Sequence, residues 1–337
     1  MSQKTYQIIL IIIMIVYSQM CFSSQTELDL NGCSLRQLHV DKTKSQLSAD
    51  NLRNTWQGVG PWGGDVTSVA VDHQDPTILY AAVGNPYIST DSGATWQIWE
   101  SLAAYSEVIY VITCTSDGII YAGGDFNDDI LKSTDGGTSW TQLSNFPISL
   151  REIRVISVDP ADSDIIYVGV AGNSAATDWQ QIAKTTNGGT SWTILDTNAL
   201  GITMGVTDIA IDPGNTQNLV VSAEGGISGG DAVYSFDGGT SWFNIAGTLP
   251  TMYPFNDIEI SGTDVYLGGG QLFGGQHVGV YKSQMGTFNW QNISTSFPLP
   301  VVNEVIVSPD NDQLIFAATE GDGIYISTDG GTTWEFG

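Results

Sequence analysis

The sequence predicts an all-β protein, specifically a β-propeller of four-stranded antiparallel blades. An eight-residue motif, Ser-x-Asp-x-Gly-x-x-Trp, recurs at a spacing of 44 to 52 residues. Short β-branched and aromatic runs precede each copy, and the motif's Trp begins a further short run. Four short strands in each unit of about 45 residues are typical of a propeller blade.

Five copies of the motif match the pattern well, and a sixth is degenerate. The well-matched copies are Ser89–Trp96, Ser133–Trp140, Thr185–Trp192, Ser235–Trp242 and Ser327–Trp334. The sixth, Ser283–Trp290, keeps both ends of the motif and lacks its Asp. Six repeats therefore predict six blades. The segment Asn54–Gly60 resembles an additional fourth strand, so a complete chain would have seven blades, and a six-bladed ring is the alternative.

The strands of a unit follow one another in a fixed order. The first is a β-branched run that ends at a turn, as in Val66–Asp72, and the second is a short apolar run, as in Ile78–Ala82. The third leads into the motif, as in Val233–Ser235, and the Trp begins the fourth. The motif is therefore predicted to form the hairpin between the third and fourth strands.

The side chains of the motif have a structural explanation. A carboxylate in a hairpin accepts hydrogen bonds from the N–H groups of its own turn, and glycine adopts positive φ without a steric clash. A Trp side chain buries a large apolar area, here expected against the neighbouring blade. We assign this structural role to Asp91, Asp135, Asn187, Asp237 and Asp329, and to Trp96, Trp140, Trp192, Trp242 and Trp334.

The chain divides into three predicted segments. Residues 1–24 have a charged start, an apolar run and a small-residue end, which is the pattern of a signal peptide. The apolar run Ile8–Val16 is shorter than the roughly 20 residues that span a membrane. Residues 25–53 are polar and read as a linker or N-terminal extension, and residues 54–337 form the propeller. We therefore expect a secreted, periplasmic or cell-surface protein.

The composition limits the possible partners. The formal net charge is −26, with 36 acidic and 10 basic residues, so the surface repels phosphate groups. Nucleic acid and anionic membranes are therefore not expected, whereas a glycan or protein ligand fits. The three His residues lack metal-ligand spacing, so neither a metal nor a cofactor is expected. The sequence leaves open the oligomeric state and a disulfide between Cys33 and Cys114.

The motif resembles the Asp-box, or BNR, repeats of sialidases, xyloglucan-cleaving endoglucanases, sortilin-type receptor domains and photosystem II assembly factors. A sialidase requires three arginines that bind a carboxylate, and an early Arg-Ile-Pro segment. The arginines here are Arg36, Arg53, Arg151 and Arg154, and the segment is absent, which excludes that activity. The arginine-rich surface of the photosystem factors has no counterpart in this acidic chain.

The resemblance to the xyloglucan-cleaving enzymes implies a catalytic Asp just after the second strand of the first blade. The corresponding stretch here is Ala81–Pro86, with Gly84 at about the position of that carboxylate. The opening Gly60–Gly64 also resembles the start of those domains. The resemblance therefore extends to the architecture while the catalytic residue it implies is missing.

The predicted site lies on the face opposite the Asp boxes. The repeats align at the start of the first strand and at the end of the second, and antiparallel neighbours bring these two positions together. The first position is occupied by Ser68, Tyr110, Val155, Asp208, Asp257 and Glu304, and the second by Gly84, Asp125, Gly172, Glu224, Gly270 and Glu320. The candidate ligand-binding carboxylates are Asp208, Glu224, Asp257, Glu304 and Glu320. Trp179 and Phe273, in long loops on this face, are candidates for stacking on sugar rings.

Two interpretations of the carboxylates compete. They bind a cation, a basic peptide or sugar hydroxyls, or they are solvated charges at the rim of a wet channel, as carboxylates near loops commonly are. The first function hypothesis is a non-catalytic binding or scaffold propeller, which predicts no paired, desolvated carboxylates in the channel. The second is a glycoside hydrolase in which Asp208, Asp257 or Glu304 replaces the missing catalytic residue. The third is an adhesion or receptor module of a larger surface protein.

Overall fold

The computed structural model describes most of the predicted propeller. The described residues are 66–106, 108–124, 130–148, 152–171, 182–195, 205–226, 229–250, 254–270, 278–296, 301–320 and 323–337, without the side chains of 224–231. The predicted signal peptide, the linker and the segment Asn54–Gly60 lie outside these residues.

The described chain forms six antiparallel four-stranded sheets, each built from four strands that are consecutive in sequence. Blade 1 contains β1 (Ser68–Val71), β2 (Leu79–Val83), β3 (Asn85–Ser89) and β4 (Gln97–Ile98). Blade 2 contains β5 (Ile109–Cys114), β6 (Ile120–Gly124), β7 (Ile130–Ser133) and β8 (Thr141–Leu143). Blade 3 contains β9 (Ile153–Asp159), β10 (Asp162–Val170), β11 (Ile182–Thr185) and β12 (Thr193–Leu195).

The second half of the chain repeats this arrangement. Blade 4 contains β13 (Val206–Ile211), β14 (Leu219–Gly226), β15 (Gly229–Ser235) and β16 (Phe243–Asn244). Blade 5 contains β17 (Phe255–Ser261), β18 (Asp264–Gly269), β19 (Gly279–Gln284) and β20 (Gln291–Asn292). Blade 6 contains β21 (Val302–Ser308), β22 (Asn311–Thr319), β23 (Gly323–Ser327) and β24 (Glu335–Phe336). The predicted all-β propeller is thus confirmed.

The core lies between neighbouring blades. Apolar runs in the second strands are almost completely buried, as in β6 and in the second half of β22, and apolar clusters join each blade from 1 to 5 to the next one. The first strands of successive blades contact one another from β1 to β21, which places them around the centre of the propeller. Side chains on the exposed side of these first strands therefore converge on a central channel.

Each Asp-box hairpin is closed by the same set of hydrogen bonds. In blade 4 the hydroxyl of Ser235 accepts from the N–H of Gly239 at 2.8 Å and donates to the Asp237 carboxylate at 2.9 Å. That carboxylate also accepts from the Ser241 N–H, at 2.8 Å, and from its hydroxyl. Blade 3 has the same pattern with Thr185 and Asn187.

From blade 2 onward, the Trp at the end of the motif packs against the preceding blade. Trp290 donates its indole N–H to the carbonyl of Ile245 at 2.7 Å, and Trp334 donates to that of Ile293 at 2.9 Å. Four of the six motif Trp side chains are buried, whereas Trp96 and Trp192 are partly exposed. These Trp residues thus link successive blades into one structure.

Some features were not expected from the repeat pattern. A four-residue helix, α1 (Glu100–Ala103), follows the fourth strand of blade 1 and buries Leu102. Cys114 is a buried free thiol, and desolvation raises its pKa to about 11.

Within the described part of the chain, no helix has the length and apolar character needed to cross a membrane.

Candidate functional site

One position of the first strand is structurally equivalent in every blade. Its residue pairs with a small residue of the second strand, such as Ala82, Gly123 or Ala318, and the register identifies the equivalent positions. They are Ser68, Val111, Val155, Asp208, Asp257 and Glu304. In blade 2 the sequence alignment pointed to Tyr110, but the register places Val111 there: Ile109 and Val111 flank the same register shift as Val206 and Asp208 do in blade 4, so the alignment was one residue early.

Side chains at this position join the first strands of neighbouring blades. In blade 1 the hydroxyl of Ser68 accepts from the Ile112 N–H at 3.0 Å. Asp208 accepts in the same way from the Ile258 N–H at 3.2 Å, and Asp257 accepts from the Val305 N–H at 2.8 Å. The two aspartates therefore contribute to the contact between blades in addition to their charge.

The carboxyl groups of Asp208 and Asp257 are hydrogen-bonded to each other. Burial raises the pKa of Asp208 to about 6 despite these hydrogen bonds. The pKa of Asp257 is raised well above its usual value, first by burial and then by the charges of Asp208 and Glu304. Burial raises both pKa values, and the Asp208 charge raises that of Asp257 further, as expected of acids that resist double ionisation at close range.

Two glutamates complete an acidic channel cluster, defined here as Asp208, Asp257, Glu259 and Glu304. Burial is the main cause that raises the pKa of Glu259 and that of Glu304, each to about 8, and the nearby Asp208 charge adds to it. All four side chains are half-buried. They are more desolvated than rim charges in open solvent.

The chemistry of the cluster is that of weak acids without cationic neighbours. Each charge found to perturb these four pKa values belongs to another carboxylate, among the residues that the structure describes. Protonated carboxyls donate hydrogen bonds and ionised ones accept them, so the cluster offers both near neutral pH. Across the same residues, no three His, Cys, Asp or Glu side chains are arranged to hold a metal ion.

Glu259 is the member of the cluster that the sequence alignment missed. It lies two residues after Asp257 on β17, and the period of two along a strand puts both on the same face. The equivalent residues in the other blades are uncharged: Ala70, Thr113, Ser157, Ala210 and Ile306. The strand period was therefore the signal that could have identified Glu259.

The remaining predicted residues do not join this cluster in the described structure. Glu320 follows β22 and is exposed, with its N–H donating to the Val301 carbonyl at 2.9 Å. Trp179 and Phe273 lie outside the described residues, as does the side chain of Glu224. Their role in binding stays a prediction.

Gly84 directly follows β2, the second strand of blade 1. Its φ is +71°, and its carbonyl accepts from the N–H of Ile109 at the start of blade 2. A side chain there would meet open space, although the left-handed conformation disfavours non-glycine residues. The position that the sequence resemblance connects with a catalytic carboxylate therefore carries no side chain.

Comparisons with known proteins agree with this architecture. The BNR/Asp-box repeat family model matches residues 325–336. Xyloglucanase Xgh74A of Acetivibrio thermocellus is 25% identical over 350 residues, which cover 86% of this chain and 40% of that protein. A xyloglucanase of Hypocrea jecorina is 28% identical over 91% of this chain and 36% of its own length. The chain thus spans about two fifths of the length of these curated relatives.

The fold of this chain is shared by solved structures of enzymes and of other propellers. The GH74 enzyme of Niastella koreensis superposes with a TM-score of 0.63 at 23% identity, covering 81% of this chain and 45% of that one. YCF48 from Cyanidioschyzon merolae has a TM-score of 0.60 at 18% identity, covering 82% and 86%. The chain is therefore an Asp-box β-propeller that resembles xyloglucanases.

Proposed function

We propose that this chain is an exported, non-catalytic propeller that binds a neutral glycan through the face opposite the Asp boxes. The observation that carries the proposal is Gly84, which stands without a side chain where the resemblance to xyloglucan-cleaving enzymes implies the catalytic Asp. Such a propeller has the fold of a glycan-cleaving enzyme and lacks the carboxylate that would catalyse the cleavage.

The channel aspartates support a binding role over a catalytic one. Asp208 and Asp257 accept hydrogen bonds from the backbone of the next blade, at 3.2 and 2.8 Å, as the hydroxyl of Ser68 does in blade 1. A carboxylate bound in this way is less available for attack on a sugar or for activation of water. The pair instead helps to hold the innermost strands in place.

The ligand class follows from charge and from the relatives. A net charge of −26 disfavours anionic ligands, whereas sugar hydroxyls both donate to ionised carboxylates and accept from protonated ones. Proteins that resemble this chain over most of its length are named xyloglucanases. The N-terminal signal-peptide pattern is consistent with exposure of the protein to extracellular polysaccharide.

A glycoside hydrolase is the second candidate, favoured by the paired, desolvated carboxylates of the channel. A glycosidase needs one carboxyl that stays protonated at working pH and a second, ionised one. The raised pKa values of Glu304 and Glu259 would suit the acid, with Asp208 as the ionised partner. The non-catalytic hypothesis expected no such pair, so this observation has to be tested directly.

Binding and turnover separate the two functions in one experiment. Affinity electrophoresis against xyloglucan and mixed-linkage β-glucan measures binding, and reducing-sugar release from the same polysaccharides measures turnover. We expect retarded migration without release of reducing sugar. Turnover that is abolished by Asp257→Asn or Glu304→Gln, in variants that remain folded, would instead establish the hydrolase. The Asn side chain keeps an acceptor for the Val305 N–H, so the contact between blades is preserved.

A further inference from the structure

An aromatic groove lies between blades 4 and 5, on the Asp-box side of the molecule. It encloses about 440 Å³ and is lined by the outer strands of blade 4 and by the turn that replaces the Asp box in blade 5. Its defining side chains are Tyr234, Phe236, Phe243, Asn244, Thr287 and Phe288. It is thus separate from the acidic channel cluster at the centre of the propeller.

The aromatic rings of the groove form a continuous surface. Phe236 and Phe243 stack with ring centroids 5.4 Å apart and an interplanar angle of 23°, and they are 53% and 48% exposed. Tyr234 and Phe288 meet across the two blades at 4.9 Å. Two nearly parallel phenyl rings are therefore left facing solvent, supported by aromatics from both blades.

The exposed rings are not required by the blade architecture. The residue after the first Ser or Thr of the motif is Phe236 in blade 4, but polar in the other blades: Thr90, Thr134, Thr186, Gln284 and Thr328. The residue after the motif Trp is Phe243 in blade 4, and elsewhere Gln97, Thr141, Thr193, Gln291 and Glu335. Blade 4 departs from the repeat at both positions, and the two departures touch each other.

The facing turn of blade 5 departs from the repeat at the same place. Phe288 replaces the Ala or Thr found in the five regular motifs, and its φ is +46°. A bulky residue in the left-handed region is strained, and such strain tends to persist where it serves a function. The degenerate Asp box thus supplies an aromatic wall in place of a regular hairpin.

We propose that this groove binds a chain of uncharged sugar rings. The apolar face of a pyranose ring packs on an aromatic plane; Phe236 and Phe243 stack on each other, and about half of each side chain stays exposed for such a contact. Asn244 and Thr287 are exposed at the edge, where an amide and a hydroxyl meet sugar hydroxyls. No Lys, Arg, Asp, Glu or His lines this described groove, so it suits a neutral ligand on an otherwise strongly acidic protein.

The proposal shares its ligand class with the proposed function but concerns a different surface. The proposed function places binding on the face opposite the Asp boxes, whereas the groove lies beside an Asp-box hairpin. A polysaccharide is long enough to contact both surfaces, and the groove would then act as a second attachment point. Substitutions in the groove leave the channel residues unchanged, and substitutions in the channel leave the groove unchanged.

The test replaces the exposed rings with the residues that other blades carry. We expect Phe236→Thr/Phe243→Thr to weaken binding of xyloglucan at least about tenfold, as measured by affinity electrophoresis and calorimetry. Phe236→Tyr/Phe243→Tyr keeps the rings and should retain binding. The matched control is Phe336→Thr, which removes a Phe that is 52% exposed on the fourth strand of blade 6. It should leave affinity within about twofold of the wild type.

The possible outcomes separate the two surfaces. Unchanged affinity in the Thr double variant overturns the groove proposal alone, and loss of binding in Glu259→Gln/Glu304→Gln then places the ligand at the channel. A wild-type protein that binds neither xyloglucan nor mixed-linkage β-glucan overturns both proposals. Light scattering on the same samples adds one more decisive result: a wild-type dimer that becomes monomeric in the Thr double variant shows that the groove joins two copies of the chain and overturns sugar binding.

Discussion

Replacing Glu259 by Gln should stabilise the protein, by an amount that grows as the pH rises. The Glu259 carboxyl is half-buried in the acidic channel, where burial and the charges of Asp208 and Glu304 raise its pKa from 4.5 to about 8. One pKa unit corresponds to about 1.4 kcal/mol, so the ionised form is destabilised by at most about 5 kcal/mol. Because the side chain keeps contact with channel water, we expect an effect on the order of 2 to 3 kcal/mol.

The direction of the pH dependence follows from the raised pKa. The folded protein holds the Glu259 proton more tightly than the unfolded chain does, so protonation favours folding. This contribution to the free energy of unfolding is fully present below pH 4.5 and is lost as the pH rises through about 8. Gln has the same shape and no proton to lose, so the variant should lack this part of the decline.

Urea unfolding followed by Trp fluorescence, at several pH values from about 5 to about 9, measures the difference. The control is Glu320→Gln, which removes an exposed carboxylate that follows β22 in blade 6. We expect the control to follow the wild type and Glu259→Gln to show a weaker loss of stability toward alkaline pH. Parallel curves for Glu259→Gln and the wild type would refute the assignment of Glu259 to a desolvated acidic cluster.

Two further predictions concern the Asp-box hairpins, and each has a matched substitution that already occurs in the chain. Ser235→Ala should lower the free energy of unfolding by about 1 to 3 kcal/mol, because the buried N–H of Gly239 loses its acceptor. Ser235→Thr should be nearly neutral, since Thr185 makes the same bonds in blade 3; equal stability of the Ala and Thr variants in urea unfolding would contradict this explanation. Gly137→Ala should be destabilising by about 3 kcal/mol or more, because the added methyl group would overlap the Trp99 ring at a φ of +78°. Gly136→Ser should be tolerated, since its side chain meets open space and Ser92 adopts a φ of 60° at that place in blade 1; thermal unfolding that ranks the two variants in the opposite order would show that the contact with Trp99 is not limiting.

Local chemistry explains why so much of the fold could be predicted. Each Asp-box hairpin is closed by side chains within eight residues of one another, so the sequence of the motif alone is enough to predict the hairpin. The short apolar runs before it then indicate the other strands of the blade. Register is harder to predict from one strand alone: Tyr110 was chosen by its place before an apolar run, whereas the pairing with the second strand shows that Val111 is the equivalent of Asp208.

The candidate sites depend on contacts that no single repeat contains. Asp208 and Asp257 are 49 residues apart in sequence, and their carboxyls interact because the neighbouring first strands β13 and β17 are in contact. Their position was predictable from the alignment of repeats. Their desolvation was not, since it depends on how closely the surrounding blades approach. Burial raises the pKa of both carboxyls, which is not expected of fully solvated charges at the rim of a channel.

The aromatic groove shows how departures from the repeat can be used. Phe236, Phe243 and Phe288 each replace a small or polar residue at its position in the motif, and this was visible in the sequence. Only the structure shows that the three replacements line one groove. The channel follows the same rule, because Asp257 and Glu259 stand where blade 3 carries Val155 and Ser157.

Both sets of departures involve the second half of the chain. The acidic channel cluster comes from blades 4, 5 and 6, and the groove comes from blades 4 and 5. The residues that stabilise a blade recur in all blades. Selection for stability alone would therefore not concentrate departures from the repeat in a few neighbouring blades. Because side chains that serve a ligand need only be present where the ligand lies, such a concentration is expected of binding surfaces.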